Sequence, residues 1–196
     1  MDAFDRLVTV NRLNPPDPIE FCIPLDLAID KSWCEQASRS ITGSGKWTVF
    51  AATANLTDHL PEKSGLYMFV WKIPFAFPND KLVDHFFRMV VYVGQAGAEA
   101  TGNTLQRRYK QEYASIVAQD PQSLWNADSS NRESRLKRHL NLRDLEFWFH
   151  EVGRTDLLLA FETSLIQLFN PPANVQFAKR RATVLSAKIG RAIPAF

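Results

Sequence analysis

The stretch from Asp156 to Asn174, DLLLAFETSLIQLFNPPAN, constrains the chain most, because it sets one carboxylate where a core-facing helix needs hydrocarbon. Leu158, Leu159, Leu165, Ile166 and Phe169 recur at the three-and-four spacing of an inward helical stripe, with Glu162 in its middle. A lone carboxylate in an apolar setting must neutralise or find a cation or strong donors. The position asks for a metal, an arginine or a catalytic role; the plain alternative is an internal ion pair. Pro171 and Pro172 end the helix, and Asn174 follows in a fixed turn.

Composition sets the outer bounds. The chain has 196 residues, 45% hydrophobic and 22% charged, which suits one globular domain with an appended arm. No run approaches the roughly 18 uninterrupted apolar residues of a membrane span, and the N-terminus lacks the pattern of a signal peptide, so a cytoplasmic protein without a membrane partner is expected. Cys22 and Cys34 form neither a paired zinc spacing nor a disulfide framework, and His59, His85, His139 and His150 are scattered, so no structural zinc is expected. Net charge is only +2, but it is unevenly spread. Residues 175–196 carry Lys179, Arg180, Arg181, Lys188 and Arg191 with no acid, and Arg132, Arg135, Lys137 and Arg138 cluster around Glu133 alone. Either segment can track a phosphate backbone or form a solvated face.

Residues 1–60 read as an N-terminal extension, with a rigid NPPDP break at 14–18, a short amphipathic helix over 26–40 and a TGSG turn at 42–45. Trp33, Trp47 and Phe50 imply that it packs on the body. GLYMFVWK at 65–72, apolar on both alternating faces, predicts a central strand. Residues 73–87, with two prolines and a PND turn, read as an inserted loop or short hairpin, and RMVVYVG at 88–94 as a second strand. TLQRRYKQEYASIVA predicts a helix capped by Thr104. At about 100° per residue, Leu105, Tyr109, Tyr113, Ile116 and Val117 face inward, Arg107 points away, and Arg108 sits on the stripe's shoulder. An ion pair between Arg108 and Glu112, one turn apart, is the bland reading of that arginine. A polar loop at 119–131, a basic helix RESRLKRHL and a third strand LEFWFHEV at 145–152 follow. The expected class is α+β, a small three-stranded sheet flanked by helices.

These elements, in this order, resemble the GIY-YIG nuclease domain. The resemblance rests on GLY at 65–67, VYVG at 91–94, an arginine in the next helix, a glutamate in a late helix and an asparagine after a proline turn. It implies a GIY-YIG fold over residues 61–176, an N-terminal extension over 1–60 serving recognition or dimerisation, an insertion between the first two strands, and a basic C-terminal segment over 177–196. It implies Tyr67, Tyr92, Arg108, Glu162 and Asn174 as the catalytic set, with Glu162 as the metal ligand for Mg²⁺, or Mn²⁺ in its place. Glu162 and Asn174 are 12 positions apart, the separation expected of the family. Tyr67 and Tyr92 are 25 apart, longer than in compact members and similar to the family's restriction endonucleases. Gln95 stands where many members carry lysine, and Glu112 where a histidine or tyrosine is often found. Tyr109 and Tyr113 are both candidates for the missing ring.

The implied activity is that of a metal-dependent DNA endonuclease hydrolysing phosphodiester bonds, of the restriction or phage-defence type, acting on duplex DNA as a homodimer. Gln95, Arg107, Lys110, Arg135, Arg138, Lys179, Arg180 and Arg181 are its candidate DNA contacts. The alternatives are a structure-specific repair nuclease, a nuclease acting on RNA, and a nucleic-acid-binding module that has lost the chemistry.

Overall fold

The run GLYMFVWK is indeed a central strand, with Leu66, Tyr67, Met68, Phe69 and Val70 all buried between two layers of helix. The computed structural model describes residues 46–77, 85–97, 102–119 and 131–174, with the isolated helical positions Asp5, Ser32 and Glu35. Its strands are β1 (Thr48–Ala51), β2 (Gly65–Phe77), β3 (His85–Ala96) and β4 (Leu145–Glu151), in the antiparallel order β1-β4-β2-β3. Its helices are α1 (Leu105–Glu112), α2 (Ala114–Val117), α3 (Arg132–His139) and α4 (Leu158–Phe169), with 3₁₀ turns at Ala54–His59 and Thr155–Leu157. The class is α+β, as the element order predicts.

The sheet has four strands, which corrects the expected three. β1 is the four-residue TVFA, exposed throughout, so it is too short and too evenly solvated to show a two-residue period. It pairs with β4, and Phe50 stacks on Phe149 at 6.2 Å and on His59 at 6.2 Å. The end of the N-terminal extension thus adds an edge to the sheet. The helix expected over 26–40 lies outside the described residues apart from Ser32 and Glu35, which are helical. The described ends of the insertion continue β2 to Phe77 and begin β3 at His85, and Lys72 Nζ lies 4.0 Å over the Phe86 ring.

The two faces of the sheet bury different chemistry. On one, Tyr67, Phe69, Tyr92 and Phe147 meet Leu105, Tyr109, Tyr113 and Ile116 of α1, the residue that caps it, and α2. On the other, Leu66, Met68, Val70 and Val93 meet Leu158, Leu165 and Ile166 of α4. The α4 stripe is narrower than expected: Leu159 is 64% exposed and Phe169 37%. Leu158 and Leu165, seven residues apart, share one line along the helix, whereas Leu159 lies about 100° round from Leu158.

Two local devices shape β3 and its outer edge. Phe69 pairs with Tyr92 but Val70 with Val90, so Val91 is the extra residue of a bulge that turns both Val91 and Tyr92 into the aromatic core. At the end of α4, Asn170 takes the left-handed conformation (φ 44°) and Pro171 forbids another turn. The chain then meets the outer edge of β3, where the Ala173 amide donates to the Val91 carbonyl at 3.0 Å.

Candidate active site

Helix α1 opens as expected, with the Thr104 side chain accepting from the Arg107 amide at 3.2 Å. That start places Leu105, Tyr109 and Tyr113 against the sheet, leaves Arg107 exposed and sets Arg108 on the shoulder. Arg108 hydrogen-bonds Tyr67, and its Nη1 lies 2.6 Å from Glu112 Oε1, the ion pair of the bland reading. Its Nε is buried without a partner among the described residues, a donor still to be satisfied. Burial opposes the charge, but Tyr67, Tyr113 and Glu112 together hold the guanidinium protonated.

Tyr67 is completely buried, and its hydroxyl lies 2.6 Å from that of Tyr113. Burial first, and Tyr92 second, push its proton affinity far above that of free tyrosine, against the opposing pull of Arg108. Tyr113 is likewise raised, chiefly by burial. Gly94 makes room for this pair: a Cβ there would overlap the Tyr67 hydroxyl. Of the two inward-facing tyrosines, Tyr113 is the one whose hydroxyl meets Tyr67. Tyr109 turns away and donates to the Thr53 carbonyl at 2.9 Å, tying α1 to the segment after β1.

Glu162 comes from α4 and meets the cluster at the end of β3. The Gln95 side chain donates to its carboxylate, and Arg108 and Arg132 both act on its charge. Burial outweighs all three and raises its carboxyl above the ordinary 4.5. Gln95 Oε1 is buried with no hydrogen-bond partner among the described residues. Gln95, half-buried, is thus a neighbour of Glu162.

Arg132, at the start of α3, is the neighbour that sequence reading places only within a basic cluster. Its Nη2 donates to the Tyr92 hydroxyl at 3.2 Å and to Glu112 Oε2 at 2.9 Å. Tyr67, Tyr92, Arg108 and Glu162 therefore belong to one connected set with Gln95, Glu112, Tyr113 and Arg132. Asn174 stands apart from it. Its Nδ2 donates to the Val93 carbonyl and its Oδ1 accepts from the Val93 amide, each at 2.9 Å, so it latches β3 between Tyr92 and Gly94.

The remaining expected DNA contacts are dispersed. Arg107 and Lys110 are exposed on α1, Arg135 and Arg138 are half-buried on α3, and Lys179, Arg180 and Arg181 lie outside the described residues. A separate concavity of about 540 Å³ lies between Lys63, Thr104 and Glu151. It contains none of the charged set. The amides of α1 beside it are already engaged, Leu105 with the Lys63 carbonyl at 2.9 Å and Gln106 with the Pro61 carbonyl at 3.3 Å.

Among the described residues no group of three or more His, Cys, Asp and Glu side chains could hold a metal ion, and no helix is long and apolar enough to cross a membrane. Compared with known proteins, the chain matches no family model, no curated protein and no solved structure.

Proposed function

We propose that the protein is a divalent-metal-dependent endonuclease of the GIY-YIG type that hydrolyses phosphodiester bonds in DNA. The observation that carries this reading is Glu162, a half-buried carboxylate with a raised proton affinity under the charges of two guanidiniums, Arg108 and Arg132, the second of which donates to the Tyr92 hydroxyl. Phosphodiester hydrolysis places growing negative charge on the phosphoryl oxygens and the leaving oxygen, and preorganised cations are the main means of stabilising it.

The donor set suits a hard cation held loosely. One carboxylate plus retained waters is an ordinary arrangement for Mg²⁺ or Mn²⁺, and the partnerless Gln95 Oε1 is a second oxygen close by. Glu162 would hold the ion, which supplies positive charge against the developing oxyanion. Arg108, whose side chain keeps 29% exposure, would contact the phosphate through its guanidinium. Tyr67, fully buried and bonded to Tyr113, keeps its own proton and acts by positioning Arg108 rather than as a base. Asn174 serves by fixing the strand that carries Tyr92 and Gly94. A restriction or phage-defence role on duplex DNA, with two chains cutting two strands, fits the resemblance.

A second reading, a nucleic-acid-binding module without chemistry, is favoured by the occupation of Arg108 by Glu112. Incubating supercoiled plasmid, branched DNA, single-stranded DNA and RNA with the purified protein in Mg²⁺, Mn²⁺ or EDTA separates the readings. Metal-dependent cleavage of duplex DNA into discrete fragments is expected. Cutting confined to branched DNA would mark a repair nuclease, and retarded mobility without cutting in any metal would overturn the enzyme reading.

A further inference from the structure

Asn131, immediately before α3, holds the start of that helix in place. Asn131 caps it, accepting from the Ser134 amide at 2.8 Å and the Ser134 hydroxyl at 2.9 Å, and Arg132 is the first helical residue. Within the same basic helix, Lys137 pairs with Glu133 at 2.6 Å, the ordinary behaviour of a solvated face. Arg132 reaches across to α1 and β3 instead, to Glu112 and Tyr92.

We infer that Arg132 is a second phosphate-gripping residue of the site, paired with Arg108 by the one carboxylate of Glu112. This rests on the nuclease reading. Glu112 Oε1 takes Arg108 Nη1 at 2.6 Å and its Oε2 takes Arg132 Nη2 at 2.9 Å, so the two guanidiniums stand side by side across a single carboxylate. A guanidinium carries about five N–H donors in a planar fork. The hydrogen bonds of Arg132 with described residues both fall on Nη2, and its side chain keeps 46% exposure. Arg108, at 29% exposure, holds a buried unsatisfied Nε beside it. Tyr92 fixes the far end of the pair, and the bulge at Val91 is what aims Tyr92 there.

Arg108 and Arg132 together offset the charges of Glu112 and Glu162, so the cation held by Glu162 would leave the site net positive toward an anionic phosphate. Glu112 touches the phosphate in no part of this scheme and is a positioning residue. It also accounts for a carboxylate one turn after Arg108: a neutral ring there could not clamp two arginines.

The test compares steady-state plasmid cleavage in Mg²⁺ by the full chain and by Arg132→Gln, Arg132→Lys, Glu112→Gln and the control Lys137→Gln, each checked by thermal unfolding. Arg132→Gln is expected to lower kcat by about a hundredfold with KM changed by less than about threefold, as for loss of a transition-state donor. Arg132→Lys, which keeps the charge but not the fork, is expected to recover part of that loss. Glu112→Gln is expected to lower kcat without a matching change in KM, and Lys137→Gln to cut like the parent. Parent-level kcat in folded Arg132→Gln, or a loss confined to KM, would overturn the assignment and leave the nuclease reading standing. No cleavage by the parent chain in Mg²⁺ or Mn²⁺ would overturn both. If Arg132→Gln does not fold, Arg132→Lys decides, since parent-level kcat there also contradicts a bidentate role.

Discussion

Glu146 on β4 and Glu162 on α4 are both partly buried carboxylates, and their surroundings treat them in opposite ways. Glu146, 14% exposed, accepts from Arg88 Nε at 3.0 Å, from Arg88 Nη2 at 3.2 Å and from Trp148 Nε1 at 2.9 Å. Burial pulls its carboxyl upward, but these donors win and hold it below the ordinary 4.5. Glu162 has one neutral amide as its direct donor and two guanidiniums acting on its charge, and burial wins, so its carboxyl lies above 4.5. A carboxylate that the fold needs is supplied with donors; a carboxylate left short of them is poised for a ligand from outside.

The largest test of this contrast is Glu162→Gln. Loss of the metal-holding charge is expected to reduce cleavage about 10²- to 10³-fold, measured as plasmid cut per enzyme in Mg²⁺. Stability should move the other way. With a folded-state carboxyl above the unfolded 4.5, the native chain binds the proton longer, so stability is lost as pH rises through that window. The glutamine variant lacks this loss, and thermal unfolding in EDTA at neutral pH should find it more stable than the parent. Lower stability there would mean that Glu162 is a structural ion pair after all.

Gly94→Ala attacks the site without touching a charge. Its Cβ would collide with the Tyr67 hydroxyl, and overpacking of that kind costs about 1–3 kcal/mol, read by urea unfolding. Cleavage should fall with it, because the Tyr67–Tyr113 pair must shift. Glu146→Gln should behave as the mirror of Glu162→Gln, losing about 1 kcal/mol at neutral pH with cleavage unchanged. Because its folded carboxyl lies below 4.5, that stability is present above the unfolded value and is lost as pH falls through the folded one. The difference between parent and Glu146→Gln should therefore close under acid. Smallest of all, Lys63→Ala removes the exposed pair with Glu151, 66% and 43% exposed, and should shift stability by less than about 1 kcal/mol.

Much of the fold was legible along the chain wherever a local rule decided it. Thr104 at the start of α1, the inward stripe to Tyr113, and Arg107 pointing outward with Arg108 on the shoulder all follow from helical geometry, and the structure bears them out. The apolar run of β2 announces a central strand for the same reason. What stayed hidden depends on tertiary placement. Tyr109 and Tyr113 both face inward, and only the approach of Tyr67 on one side and of Thr53 on the other separates them. Arg132 is one of several basic residues in sequence, and only the position of α3 beside Glu112 and Tyr92 distinguishes it. β1 is too short for periodicity, and Leu159 shows that a leucine at helical spacing need not face the core.

The most direct measurement is cleavage of supercoiled plasmid in Mg²⁺ by the parent chain, Glu146→Gln and Glu162→Gln side by side, with an EDTA lane for each. The parent and Glu146→Gln are expected to cut equally and only with metal, while Glu162→Gln leaves the plasmid intact. Equal cutting by Glu162→Gln, or cutting by the parent in EDTA, would contradict the claim that this carboxylate is held ready for a catalytic cation.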